Sequence, residues 1–220
     1  FPGAEGFGRF AEGGRGGVVM QVTTLADSGA GSLRACVEAP GPRTCVFRVS
    51  GDIFLASELR IANPYITVAC QTAPGQGVQL RHAPSNIRNG FQISAHDVII
   101  QHCKVRLGPS TTLSDIPNCV QVLPLSGTAT PIRDWMVDNM SCYWATDQLI
   151  AVSPDAERGT VMDSIFAEGL NRSSHTSGPH SKGPNWRACG VSFIRGLIAN
   201  NVIRNPNNVC GLEDPDIVRT

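Results

Sequence analysis

The sequence has no surplus of charge of either sign: 18 basic and 18 acidic side chains balance across 220 residues. A protein that grips nucleic acid through its overall field carries a basic excess, so that class is disfavoured. Any anionic ligand would have to be held by a local cluster. Charged residues are also sparse, 16% against 41% hydrophobic, too few for a disordered chain. Long apolar runs are lacking. Stretches such as Val98-Ile99-Ile100 fall far short of the roughly 20 residues that span a bilayer. No cysteine sits in the CxxC or CxxH spacing of a zinc site, and no Ser-His-Asp or phosphate-cradling glycine motif stands out. The chain opens at Phe1 with neither a Met nor a charged-then-apolar leader, which reads as a mature secreted protein whose signal peptide has been removed, although a trimmed chain would look the same.

What is present is an even complement of eight cysteines. Such a number in an exported chain implies a disulfide framework, although eight cysteines allow about 105 pairings. Taking neighbours in sequence gives Cys36–Cys45, Cys70–Cys103, Cys119–Cys142 and Cys189–Cys210. The last three gaps approximate one turn of a coiled β-structure, so each bond would staple one turn to the next. The sequons at Asn139 and Asn171 are glycosylation candidates on the same secretory reading.

The opening Phe1–Gly17 is too glycine-rich for a helix. Val18–Val22 reads as a strand, residues 27–31 as a turn, and Ser32 as the N-cap of a short helix reaching about Ala39. Beyond Pro40, short β-branched runs recur, among them Ile66–Ala69, Val98–Gln101, Trp135–Asp138 and Val191–Ile194. No amphipathic helix of about ten residues separates them, which disfavours a βαβ architecture. A hairpin sandwich would carry Asn-Gly or Asp-Gly turns, and only Asn89-Gly90 qualifies. Many short strands with polar turns and a covered first coil fit a β-solenoid better.

Specific strings sharpen this. In order, the chain contains FPGAEGFGRFAEGGRGG, VTTLADSGAGSLR, VFRVSGDI, ITVACQTAPGQG, HDVIIQHCKVRLG, YWATDQ and IANNVIRNPN. Together they resemble the pectate-lyase family over nearly the whole chain. The resemblance implies a right-handed parallel β-helix, a solenoid with a short N-terminal capping helix. It predicts one domain over 1–220, with the cap at 1–40 and coils over 41–220. That family continues for several more coils and a C-terminal cap. Either the sequence is a fragment of a longer chain, or their absence leaves an open edge suited to end-to-end self-association.

The resemblance further implies β-elimination of pectate or a related uronan, usually with calcium. The proton to be removed lies alpha to a uronate carboxylate, and bound cations stabilise the charge that develops there. An arginine serves as base, in surroundings that disfavour its charged form. Val202-Ile203-Arg204-Asn205-Pro206 matches the segment that carries this base, making Arg204 the candidate; an arginine paired beside a proline turn would look the same. The loop 171–183 supplies Lys182 as the candidate partner of the reacting carboxylate, with Arg172, His175 and His180 as substrate contacts. The calcium ligands would be Asp147, Asn118 and, nearby, Asp115. The set is reduced, because a second family acid corresponds to Ala151 and another to the uncharged Asn118. Two functions therefore stay open: a secreted carbon–oxygen lyase acting on acidic polysaccharide, and a non-catalytic β-helix for carbohydrate binding or fibre assembly.

Overall fold

The computed structural model describes residues 1–83, 89–109, 111, 117–127 and 132–210. Its strands form three parallel sheets. Sheet 1 contains Val18–Val22 (β1), Arg43–Phe47 (β2), Ile66–Ala69 (β5), Val98–Gln101 (β8), Trp135–Asp138 (β11), Gly159–Met162 (β14) and Val191–Ile194 (β17). Sheet 2 contains Gly51–Leu55 (β3), Val78–His82 (β6), Lys104–Arg106 (β9), Ser141–Tyr143 (β12), Ile165–Ala167 (β15) and Leu197–Ala199 (β18). Sheet 3 contains Leu59–Ile61 (β4), Phe91–Ile93 (β7), Val120–Val122 (β10), Ile150–Val152 (β13), Asn185–Trp186 (β16) and Asn207–Asn208 (β19). The chain visits the sheets in rotation, so each strand pairs with the one three places away in sequence. This is a parallel β-helix.

Alternation along each strand decides which side chains enter the coil. Ile66, Val98, Trp135, Gly159 and Val191 lie in one register row of sheet 1, the next inward row being Val68, Ile100, Val137, Val161 and Phe193. Stacking like on like keeps every coil's apolar residues over the previous coil's, so one core runs the length of the solenoid. Trp135 is fully buried, and Gly159 beside it accommodates the indole: a Cβ there would collide with the ring. Between sheets 1 and 2 a single left-handed residue turns each of the last four coils: His102, Asn139, Asp163 and Arg195, at φ 57°, 51°, 49° and 48°. This conformation costs a non-glycine residue about 1–2 kcal/mol. At the last corner Arg195 forks onto Asp163 at 2.8 and 2.9 Å, an offset for that cost.

The predicted cap is there in part. Helix Leu33–Glu38 (α1) starts at Ser32, whose hydroxyl accepts from the Ala35 amide, and buries Leu33, Cys36 and Val37. Its C-terminal carbonyls are bound by Arg43, wholly buried in β2. That guanidinium donates to Cys36 and Val37 and also to Gly41, Asn63 and Pro64. All five of these partners are neutral carbonyls, and burial lowers its pKa below the ordinary arginine value.

The glycine-rich opening takes a different course from α1. It runs as a strap along the outer face of sheet 1. Gly14 donates to the Thr67 hydroxyl, Gly8 to Thr160 and Phe7 to Ser192, while Ala11 packs with Ile99, Met136 and Met162. Gly6, at φ 72°, passes so close to Thr160 and Ser192 that any side chain would clash. Glu5 ends the strap on Arg195, 2.7 Å away. The four disulfides pair Cys36–Cys45, Cys70–Cys103, Cys119–Cys142 and Cys189–Cys210, as the spacing indicated, and the described residues hold no free cysteine. No helix among the described residues is long and apolar enough to cross a membrane.

Candidate functional site

The corner leading into sheet 3 gathers most of the sequence-predicted site. Isolated parallel bridges stack Gln148 on Lys182 and Lys182 on Ile203, so three successive coils meet there. Asp147, Lys182 and Arg204 therefore come from neighbouring coils at one corner. Gly183 permits the approach, because a Cβ at this position would strike the Arg204 carbonyl. Arg204 itself is half-buried and adopts φ 59°. The turn carrying it is braced by Asn201 and Asn205, whose side chains bond each other at 3.1 Å, and by Asn201 accepting from the Gly169 amide.

Asp147 is the centre of the cluster and is buried. Its Oδ1 faces His180 Nε2 at 3.4 Å, His175 Nε2 at 3.8 Å and Lys182 Nζ at 3.9 Å. Its Oδ2 accepts from the Gln148 amide at 3.1 Å. The two imidazoles stack with centroids 3.3 Å apart. His175 Nδ1 accepts the Ser177 amide hydrogen, so in the neutral ring Nε2 carries the proton and points a donor at the acid. Burial, followed by the charges of Lys182 and His175, pushes the His180 pKa down from 6.5, against the pull of Asp147. One buried acceptor is thus ringed by four donor-bearing side chains. Arg172 lies exposed on the same loop, outside this ring.

Calcium takes about six to eight oxygen ligands, several of them carboxylate. The described residues do not fit it. Asn118 is buried and committed to the scaffold: its Oδ1 accepts the Gln148 amide at 2.9 Å, and its Nδ2 donates to Asn89 Oδ1 at 3.2 Å. Ala151 offers no side-chain oxygen. Asp115 lies outside the described residues. Asp147, His175 and His180 also converge as a possible two-imidazole, one-carboxylate metal group. The tautomer favoured by the Ser177 bond puts a proton on His175 Nε2, which a metal would have to displace.

Beside this corner the outer face of sheet 3 carries a row of register-matched side chains: Arg60, Gln92, Gln121, Ala151, Asn185 and Asn207. A cavity of 430 Å³ lies over the first three, walled by Leu123–Ser126. A second, of 130 Å³, adjoins it through Gln121 and Leu123 and extends over Gln148, Ala151, Asn185 and Arg187. The sequence motifs pointed to Asp147, Lys182 and the histidines, but not to Gln148, Asn201 or this amide-lined groove. Both sequon asparagines, Asn139 and Asn171, are exposed.

No family model matches the chain. Curated relatives do. The chain is 35% identical over 207 residues to a probable pectate lyase C of Aspergillus oryzae, covering 94% of this chain and 44% of that protein. It is 36% identical over 214 residues to the Emericella nidulans protein of the same name, with the same two coverages, and 37% over 207 residues to that of Neosartorya fischeri. The chain thus spans less than half the length of the curated relatives it matches. Among solved structures, the cedar-pollen major allergen Jun a 1 superposes with a TM-score of 0.58 at 17% identity, over 89% of this chain and 69% of the allergen. The chain is thus a parallel β-helix whose sequence is similar to part of the proteins named probable pectate lyase C.

Proposed function

We propose that the protein is a secreted polysaccharide lyase that cleaves pectate or a related uronan by β-elimination. The observation that carries this reading is the meeting of Arg204, Lys182 and the donor-ringed Asp147 on adjoining coils at the edge of the sheet 3 groove. A uronan lying along sheet 3 would bring one carboxylate to this corner. Lys182 and the imidazole N–H groups would then offset the negative charge that builds on the carboxylate as the neighbouring C–H bond breaks. Arg204 takes that proton. The electron pair forms the new C=C bond, and the glycosidic C–O bond breaks with its pair leaving on oxygen, which is reprotonated. Asp147 holds the donors in place as their internal counter-charge. Relatives named pectate lyase support the reaction class, and four disulfides support export to an oxidising compartment.

The test follows the ultraviolet absorbance of unsaturated product on polygalacturonate, with calcium and with a chelator. Wild-type protein should form product, Arg204→Ala should lose about three orders of magnitude in rate, and its substrate binding should persist. The second reading, a non-catalytic carbohydrate-binding β-helix, is favoured by Ala151 and by the commitment of Asn118 to the scaffold. Binding without product in either condition would establish it.

A further inference from the structure

The Arg187 side chain is used by neither the corner cluster nor the fold. It follows β16, where its backbone amide donates to the Val152 carbonyl at 3.1 Å. Its side chain lines the 130 Å³ cavity together with Gln121, Gln148, Ala151 and Asn185. The guanidinium Nε is buried and makes no hydrogen bond, and no acid among the described residues pairs with this arginine. Gln148 Oε1, in the same cavity wall, is likewise buried and unpaired. Among the described residues, no Asp or Glu lines the cavity. Directly in the row between Gln121 and Asn185 stands Ala151, whose methyl leaves the space above the strand open.

An arginine with a buried, unbonded Nε and no ion-pair partner among the described residues is an unusual thing to leave in a groove. A buried donor without a partner costs about 1–3 kcal/mol, and a guanidinium's preferred partner is a planar, two-pronged anion. We propose that Arg187 forms a carboxylate subsite for a uronate unit of the bound polysaccharide. The unit would sit over Ala151, next to the one held at the Lys182 corner. Arg187 supplies there a fixed positive charge that needs no bridging cation. The neighbouring Gln121 and Asn185 amides are within the same wall to take sugar hydroxyls. The subsite rests on the acidic-polysaccharide reading for its ligand class, though not on catalysis.

The experiment observes the Arg187 Nε–Hε resonance of the intact chain by NMR in the presence of a chelator. Titration with galacturonate should move it saturably, and galactose, the same sugar without a carboxylate, should leave it in place. By calorimetry Arg187→Gln should weaken binding of an oligogalacturonate by roughly tenfold or more, the loss expected for a charge-assisted pair. Ala151→Asp, which places an acid beside the guanidinium, should weaken it similarly while the Arg187 resonance stops responding to galacturonate. A resonance indifferent to galacturonate, or equally responsive to galactose, overturns the subsite. Its failure is separable from that of the lyase reading: a clear NMR response with no unsaturated product keeps the subsite and removes the catalysis.

Discussion

Asp147 accepts where its neighbours donate, and the effect of replacing it follows from that asymmetry. In Asp147→Asn the Lys182 charge and the two imidazole donors lose their counter-charge. Removing one partner of a partly buried ionic cluster should cost about 1–3 kcal/mol, measured by denaturant titration. The His180 ring, already depressed, should titrate lower still, as its NMR shifts would report. The same ring makes stability depend on pH with a definite sign. Unfolded, His180 takes up a proton as the pH falls through about 6.5; folded, it resists until a lower pH. Its contribution is complete above that value and fades as the pH falls from there through the depressed one. His180→Asn should flatten the acid side of the stability profile and leave the alkaline side alone. At this scale the sequence was partly legible. The strings around Asp147, Lys182 and Arg204 marked them as residues of one site. Asn118, in contrast, reads as a calcium ligand in sequence and serves as a bracket between Asn89 and Gln148 in the fold. An amide's role depends on which coil lies beneath it, and register is invisible along a single strand.

The strands show the same boundary between what a pattern reveals and what it hides. In sheet 1, Ile66–Ala69, Val98–Gln101, Trp135–Asp138 and Val191–Ile194 stand where the β-branched runs placed them. From β9 onwards sheet 2 escaped detection because its strands have three residues and only one points inward, as with Val105, Cys142 or Phe166. One apolar position cannot display a period. A lone left-handed residue, instead of a glycine-rich turn, separates these strands from sheet 1, so no punctuation marks the corner either. Two substitutions probe the elements directly. Gly159→Ala forces a methyl into the Trp135 indole and should cost about 1–3 kcal/mol by overpacking, with a change in tryptophan fluorescence. Arg43→Met strips carbonyls at the end of α1 and in the 63–64 turn of their donor, at a cost of about 3 kcal/mol seen in thermal melting.

At the scale of the molecule, the fold itself was readable because collinear strings and coil-spaced cysteines agreed. The course of residues 1–17 was not. A run of glycines excludes a helix without saying what the segment lies against, and the signal was held by its partners: Thr67, Thr160 and Ser192, outward hydroxyls repeated on sheet 1. Removing residues 1–17 should uncover Ile99, Met136 and Met162 and leave a hydrophobic stripe along the solenoid, detectable as dye binding and aggregation while most sheet content survives.

The strap touches coils far apart in sequence, from Thr67 to Arg195. A simple stack of repeats frays from its ends, each coil answering only to its neighbours. Here one segment laid across the stack makes distant coils answer to each other. There is also an order in time. The strap is synthesised before every strand it crosses, yet the Glu5 carboxylate meets Arg195 only after that last corner has been made, so the far end of the strap is the last part to gain its ion pair.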